Sequence, residues 1–155
     1  MTKQTKSHQI RQQAIQALYQ LIVYSDTKMQ APSMEEAMHF ALYAGNDSNE
    51  SNEVLNSYLI TLVNGVTDHQ PTLDEKLKPY LRNWTIDRLA RVDLLILRLA
   101  LYELFYEDVP PLVVVDEAIE LAKDFSDEKA RRFITGVLGN VVKDYELTDK
   151  STDNE

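Results

Sequence analysis

An all-α fold is what this sequence predicts, and three observations predict it. Apolar residues recur at helical spacing along most of the chain. No stretch alternates apolar and polar residues with the period of a half-buried strand. Glycine is scarce, with 4 among 155 residues, while Leu, Ala, Gln, Glu and Lys are abundant. The length suits one ordinary domain or two small packed subdomains. The expected arrangement is about seven helices in two subdomains. Residues 1–70 form the first, with a basic arm, and residues 71–145 the second. Residues 146–155 are a polar, mostly acidic tail with too few apolar groups to pack.

Ile10, Ala14, Ala17, Leu18, Leu21 and Ile22 lie on one face of a helix from about Ser7 to Tyr24. Ser33-Met34-Glu35-Glu36 is a capping box: the Ser33 hydroxyl can accept from the amide of Glu36, whose carboxylate reaches back. It opens a short helix with Met34, Ala37, Met38 and Ala41 inward. Gly45 to Asn49 reads as a polar loop. Val54, Leu55, Tyr58, Leu59, Leu62, Val63 and Val66 mark a third helix, which His69-Gln70-Pro71-Thr72 is expected to break. A second capping box, Thr72 with Glu75, would then open a short helix carrying Leu73, Leu77 and Leu81, bent or ended by Pro79. Thr85 to Phe105 is apolar almost all round and so belongs at the centre of a bundle. After Pro110-Pro111, the β-branched run Leu112 to Val115 leads into the strong helix formers Glu117 to Lys123, and we assign the whole to helix. The last helix runs from Ser126 to about Tyr145, with Phe133, Ile134, Val137, Leu138, Val141 and Val142 inward.

Cysteine is absent, which excludes disulfides, thiolate metal sites and a Cys nucleophile. The first residues lack an apolar leader, and the longest apolar stretch, Leu94 to Phe105, is interrupted by Arg98 and Glu103. A cytoplasmic protein is therefore expected. The net charge of −9 disfavours nucleic acid, but its distribution is uneven. No acidic residue precedes Asp26, whereas Lys3, Lys6 and Arg11 are basic and His8 can become so. A basic arm on an acidic body can bind an anion locally, or it can simply be a solvated terminus.

Enzyme chemistry finds no footing. Glu36-x-x-His39 has the spacing of a di-metal helix step, but such sites need a second step, and none exists. Phosphate-binding, dinucleotide-binding and nucleophile-elbow motifs are missing. Asp116, Glu117 and Glu120 form an acidic patch without a nucleophile or an oxyanion donor beside it. Neither catalysis, nor a metal, nor a cofactor is expected.

Five segments in register carry a resemblance. They are Trp84-Thr85-Ile86-Asp87-Arg88-Leu89, then Ile96 to Leu104 (ILRLALYEL), then Asp108-Val109-Pro110, then Asp116 to Lys123 (DEAIELAK), then Arg132 to Leu138 (RFITGVL). With Arg11 and Ala14 to Tyr19 in the opening helix, they resemble the NusB family of transcription antitermination factors across most of the chain. The resemblance implies a two-subdomain helical fold and a heterodimer with the ribosomal protein NusE. It also implies binding of the boxA element of nascent ribosomal RNA, and entry into the RNA polymerase antitermination complex. No membrane and no small-molecule substrate are implied.

On this reading the RNA-binding candidates are Lys3, Lys6, His8 and Arg11 on the arm, with Lys129, Arg131, Arg132 and Phe133 at the start of the last helix. Arg11 falls on the polar side of its helix, where a guanidinium can fork onto a phosphate. Phe133 could stack on a base or belong to the core. The second cluster could equally be tied up by Asp127 and Glu128. The candidates for NusE are Tyr19, Asp93, Arg98 and Tyr102. Tyr19 is either a surface ring or a half-buried core aromatic. Arg98, inside an apolar helix, must find a carboxylate, such as Asp116 or Glu117.

Two departures from the family pattern stand out. Ser7-His8-Gln9 replaces a run of arginines, and Thr135 replaces an asparagine. The alternative function is a helical protein-interaction module without RNA binding. Some RNA methyltransferases carry a similar helical domain, but no methyl-donor motif follows here.

Overall fold

The computed structural model describes residues 6–27, 32–44, 56–82, 85–145 and 147. Six α-helices are present among them: α1 (Lys6–Thr27), α2 (Met34–Ala44), α3 (Ser57–Leu77), α4 (Arg91–Tyr106), α5 (Pro111–Phe125) and α6 (Glu128–Asp144). Two single 3-10 turns, Lys78–Tyr80 and Ile86–Arg88, join α3 to α4. No strand occurs among the described residues. The chain divides into two compact units, residues 1–68 and 69–155. Lys3, the Gly45–Asn49 loop, Val54, Leu55, Trp84 and the tail except Leu147 lie outside the described residues.

In the first unit α1 packs on α2. The apolar period of α1 buries Ile10, Ala14, Ile15, Ala17 and Leu18, while Leu21 and Ile22 are only half-buried. The α2 start is the expected capping box: the Ser33 amide donates to Glu36 Oε1 at 2.8 Å, and the Glu36 amide donates to Ser33 Oγ at 3.1 Å. Both orphan amides are satisfied, worth about 1 kcal/mol against alanine at the cap. No group of metal-ligating residues forms among the described residues. Asn56 caps α3, its Oδ1 accepting from the amides of Tyr58 (2.8 Å) and Leu59 (3.3 Å).

Helix α3 corrects one expectation. It continues through His69-Gln70-Pro71-Thr72 to Leu77, so Thr72 and Glu75 sit inside a helix and open none. Pro71 removes the hydrogen bond to the carbonyl of Thr67, but Thr67 and Pro71 are both exposed, where water can serve that oxygen. Beyond them Leu73 and Leu77 are fully buried, and their packing holds the helical path. The stop comes at the 3-10 turn containing Pro79, as expected.

In the second unit α4 packs against α5 and α6, and α5 against α6. Every residue from Leu94 to Leu104 is buried, the signature of a helix with neighbours on all sides. The helix is shorter than the expected Thr85–Phe105. Thr85 and Ala90 have extended ψ values of 161° and 139°, which isolates the Ile86–Arg88 turn. Burial of Arg98, 4% exposed, demands a partner, and it is not Asp116 or Glu117. Arg98 Nε donates to Asp74 Oδ1 at 2.8 Å and Nη2 to Asp74 Oδ2 at 2.9 Å. The two-point geometry ties the end of α3 to the middle of α4. On the same side His69 stacks on Tyr106, with ring centroids 4.0 Å apart, and Tyr106 on Tyr102 at 5.5 Å. Helix α5 includes Leu112–Val115 as expected. Helix α6 is capped by Asp127, whose Oδ1 accepts from the Ala130 amide at 2.8 Å. No helix among the described residues is long and apolar enough to cross a membrane.

Candidate nucleic-acid interface

At the start of α6 three cations, Lys129, Arg131 and Arg132, stand beside the half-buried ring of Phe133. Asp127 fixes the first turn, so the residues after it fan out at 100° steps. Ala130 and Ile134 turn into the core, Lys129 and Arg132 turn to solvent, and Phe133 and Arg131 lie half-buried between. Glu128 takes up two of the three cations: Arg132 Nη1 lies 3.0 Å from Glu128 Oε2, and Arg131 Nη2 lies 3.5 Å from Glu128 Oε1. Lys129 has no ion-pair partner among the described residues and is exposed to an incoming anion.

Lys129 and Phe133 line an open pocket of about 230 Å³ together with Arg88, Leu89, Ala90, Asp93, Asp127 and Ala130. Arg88 is an exposed cation that sequence reasoning did not select. The signal was present, since Arg88 stands in the Trp84–Leu89 segment that carried the resemblance. The extended backbone at Ala90 brings this turn to the N-terminal end of α4, beside Asp93. Asp93 is held in turn by the Ser126 hydroxyl, which donates to its Oδ1 at 2.7 Å. The pocket thus offers two exposed cations, an aromatic ring with apolar neighbours, and two carboxylates held by hydrogen bonds. Chemically that suits a nucleotide: phosphate to the cations, a base against Phe133 and Leu89, and carboxylates as acceptors for base amino groups.

The arm candidates are placed differently. Lys6 is exposed at the start of α1, and Lys3 lies outside the described residues. His8 and Arg11 are 5% and 4% exposed, so the polar-side position expected of Arg11 does not hold. Both take part in interactions of the fold. The one-residue offset from Ile10 places Arg11 at the edge of the apolar stripe, where a long side chain is covered by its neighbours.

Of the residues assigned to a protein partner, Tyr19 is 43% exposed, and Asp93 is half-buried at the pocket. Tyr102 is 6% exposed, and its hydroxyl donates to Glu107 Oε2 at 2.6 Å. Arg98 is the buried partner of Asp74. Thr135, which stands where the family pattern has asparagine, spends its hydroxyl on its own helix, donating to the Arg131 carbonyl at 2.7 Å.

Comparison with known proteins agrees with this architecture. The transcription antitermination protein NusB of Lactiplantibacillus plantarum is 46% identical over 138 residues, covering 88% of this chain and 94% of that protein. A crystal structure of NusB from T. maritima superposes with a TM-score of 0.75 at 29% identity, covering 96% of this chain and 97% of the other. A chain in the crystal structure of antitermination factors NusB and NusE in complex with double-stranded RNA gives a TM-score of 0.71 at 26% identity, covering 90% and 97%. The NusB family model matches residues 8–143, and the chain belongs to the NusB family.

Proposed function

We propose that this protein is a transcription antitermination factor that binds boxA RNA of nascent ribosomal transcripts together with NusE and joins RNA polymerase to suppress termination. The observation that carries the reading is family membership over nearly the whole chain, joined to a pocket whose chemistry suits a nucleotide. Lys129 and Arg88 supply the phosphate contacts, and Phe133 supplies the stacking face. Arg131 and Arg132 contribute less, because Glu128 must release them first. Lys3 and Lys6 add diffuse attraction from the arm. His8 and Arg11, being buried, act by holding α1 in shape.

With only Arg88 and Lys129 as free cations at the pocket among the described residues, RNA binding by the isolated chain is weak. Each phosphate neutralised contributes about 0.7 to the logarithmic salt slope on a single strand. NusE therefore has to enlarge the charged surface. Tyr19 and Asp93, which reach solvent, are the direct NusE contacts. Arg98 and Tyr102 serve the same interface from within, by fixing α4. Binding to boxA RNA across a salt series, with and without NusE, tests this reading. A gain with NusE and a shallow slope without it support it. Absence of RNA binding under both conditions would leave a helical protein-interaction module in its place.

A further inference from the structure

A second surface lies at the other end of α4. The pocket sits beside Asp93 in the first turn of α4, whereas Tyr106 ends that helix, about 20 Å away at 1.5 Å per residue. There the chain turns through Val109 and Pro110 into α5, and it leaves apolar side chains outside. Leu112 is 66% exposed, Val113 43% and Tyr106 41%. Consecutive exposed Leu and Val at the start of a helix make an apolar patch, with the exposed Tyr106 six residues before Leu112 at the end of α4.

The charge along this stretch of chain is acidic. From Glu107 to Asp124 the sequence holds six carboxylates and one cation, Lys123, 3.1 Å from Glu120. The other cation at this end of α4, Lys76, lies over the Phe105 ring at 4.6 Å. Asp116 and Glu120 continue the solvent face of α5 one and two turns beyond Leu112. An acidic rim excludes RNA from the patch by repulsion. It also disfavours a second copy of this chain, which would set one acidic rim against another across a two-fold axis. What complements the surface is a basic protein segment with apolar side chains, positive along one edge and apolar in the middle.

The geometry points to the α4–α5 corner, centred on Leu112 and Val113, as a docking site for a basic amphipathic segment of a partner protein, separate from the nucleotide pocket. The apolar centre supplies the burial, and the rim supplies orientation and speed of encounter. Binding there leaves the Lys129 end free, so one molecule can hold RNA at one pole and a protein at the other.

The test uses the full chain and a synthetic helical peptide of leucine and lysine, with an all-lysine peptide of equal charge as control. In amide NMR spectra the Leu/Lys peptide is expected to shift Tyr106, Leu112, Val113 and Asp116, with the control peptide binding more weakly. The Leu112→Ser/Val113→Ser variant is expected to lose about tenfold in peptide affinity, a loss of about 1.4 kcal/mol, while boxA RNA affinity and melting stay as in the parent. If the double variant is poorly folded, Leu112→Ser alone, at the most exposed position, carries the same expectation. Unchanged peptide affinity in the variant, or shifts centred on Lys129 and Phe133, would overturn the proposal. So would self-association of the parent that the variant abolishes, which would make the occupant a second copy. A parallel loss of RNA affinity would assign the corner to RNA binding. Intact corner binding in a protein that fails to bind RNA would sink only the RNA reading.

Discussion

Arg98 and Asp74 form a two-point ion pair across 24 residues of sequence, at 2.8 and 2.9 Å, with the Arg98 side chain 5% and the Asp74 side chain 18% accessible. Removing either partner strands a charge in the second unit's interior. Arg98→Ala and Asp74→Ala are each expected to cost on the order of 3–5 kcal/mol, read by denaturant unfolding. Replacing both together with apolar residues of similar size should recover much of that loss. A near-unchanged melting temperature in Arg98→Ala, with NusE binding lost, would instead make Arg98 a contact residue.

Lys129 and Arg11 should separate in their effects, although both are candidate RNA residues. Lys129→Ala is expected to weaken boxA binding and flatten its salt dependence with melting unchanged, because the side chain is exposed and unpaired among the described residues. Arg88→Ala should behave likewise. Arg11→Ala should lower the melting temperature first, since the side chain is 4% exposed and engaged in the fold. Thermal unfolding beside RNA titration at several salt concentrations distinguishes the two kinds of loss.

What the sequence discloses here is mainly what short-range physics decides. The Ser33–Glu36 box, the Pro79 stop and the central burial of α4 follow from neighbours within a turn or two, and the structure has all three. The partner of Arg98 was not legible, because a carboxylate 24 residues away becomes adjacent only through packing. Arg11 was misplaced because one helical step, about 100°, separates a covered edge from an open face. The pocket was half legible: Lys129 and Phe133 stood in a visible basic cluster, but Arg88 joins them only after the chain turns at Ala90.

Pro71 was read as a helix breaker and is tolerated within α3. Tolerance still has an energetic cost, since the Thr67 carbonyl lacks its helical donor. Pro71→Ala is expected to stabilise the protein, by at most about 3 kcal/mol and by less if the unfolded chain gains freedom. A lower melting temperature in this variant would mean that the local geometry at Pro71 is required for α3 to reach Leu73 and Leu77.

Gly136 and Gly139 lie on the solvent side of α6, and a Cβ added at either meets nothing within 4 Å. Helical glycine at an open position is destabilising by roughly 0.8–1 kcal/mol relative to alanine. Gly136→Ala and Gly139→Ala are each expected to raise stability by about that amount, and to add when combined only if the local helix does not relax. If either gain is accompanied by loss of NusE or RNA affinity, the bare helix face is serving close approach of a partner.

Tyr80 links the 3-10 turn after α3 to the end of α6, its hydroxyl donating to Asp144 Oδ2 at 3.0 Å. Partial burial first, and then the hydrogen bond and negative charge of Asp144, push the phenol up from 10.0 to about 12. A raised pKa means that the folded state holds the proton more tightly than the unfolded chain does. The associated stability is therefore fully present below pH 10 and is lost as pH rises towards 12. Urea unfolding between those values should show a decline in stability that Tyr80→Phe abolishes, while Asp144→Asn leaves its onset near pH 10 and makes it smaller and complete at lower pH. Identical alkaline profiles in the parent and Tyr80→Phe would place the alkaline sensitivity in other groups and reduce the Tyr80–Asp144 contact to a surface hydrogen bond without consequence for α6.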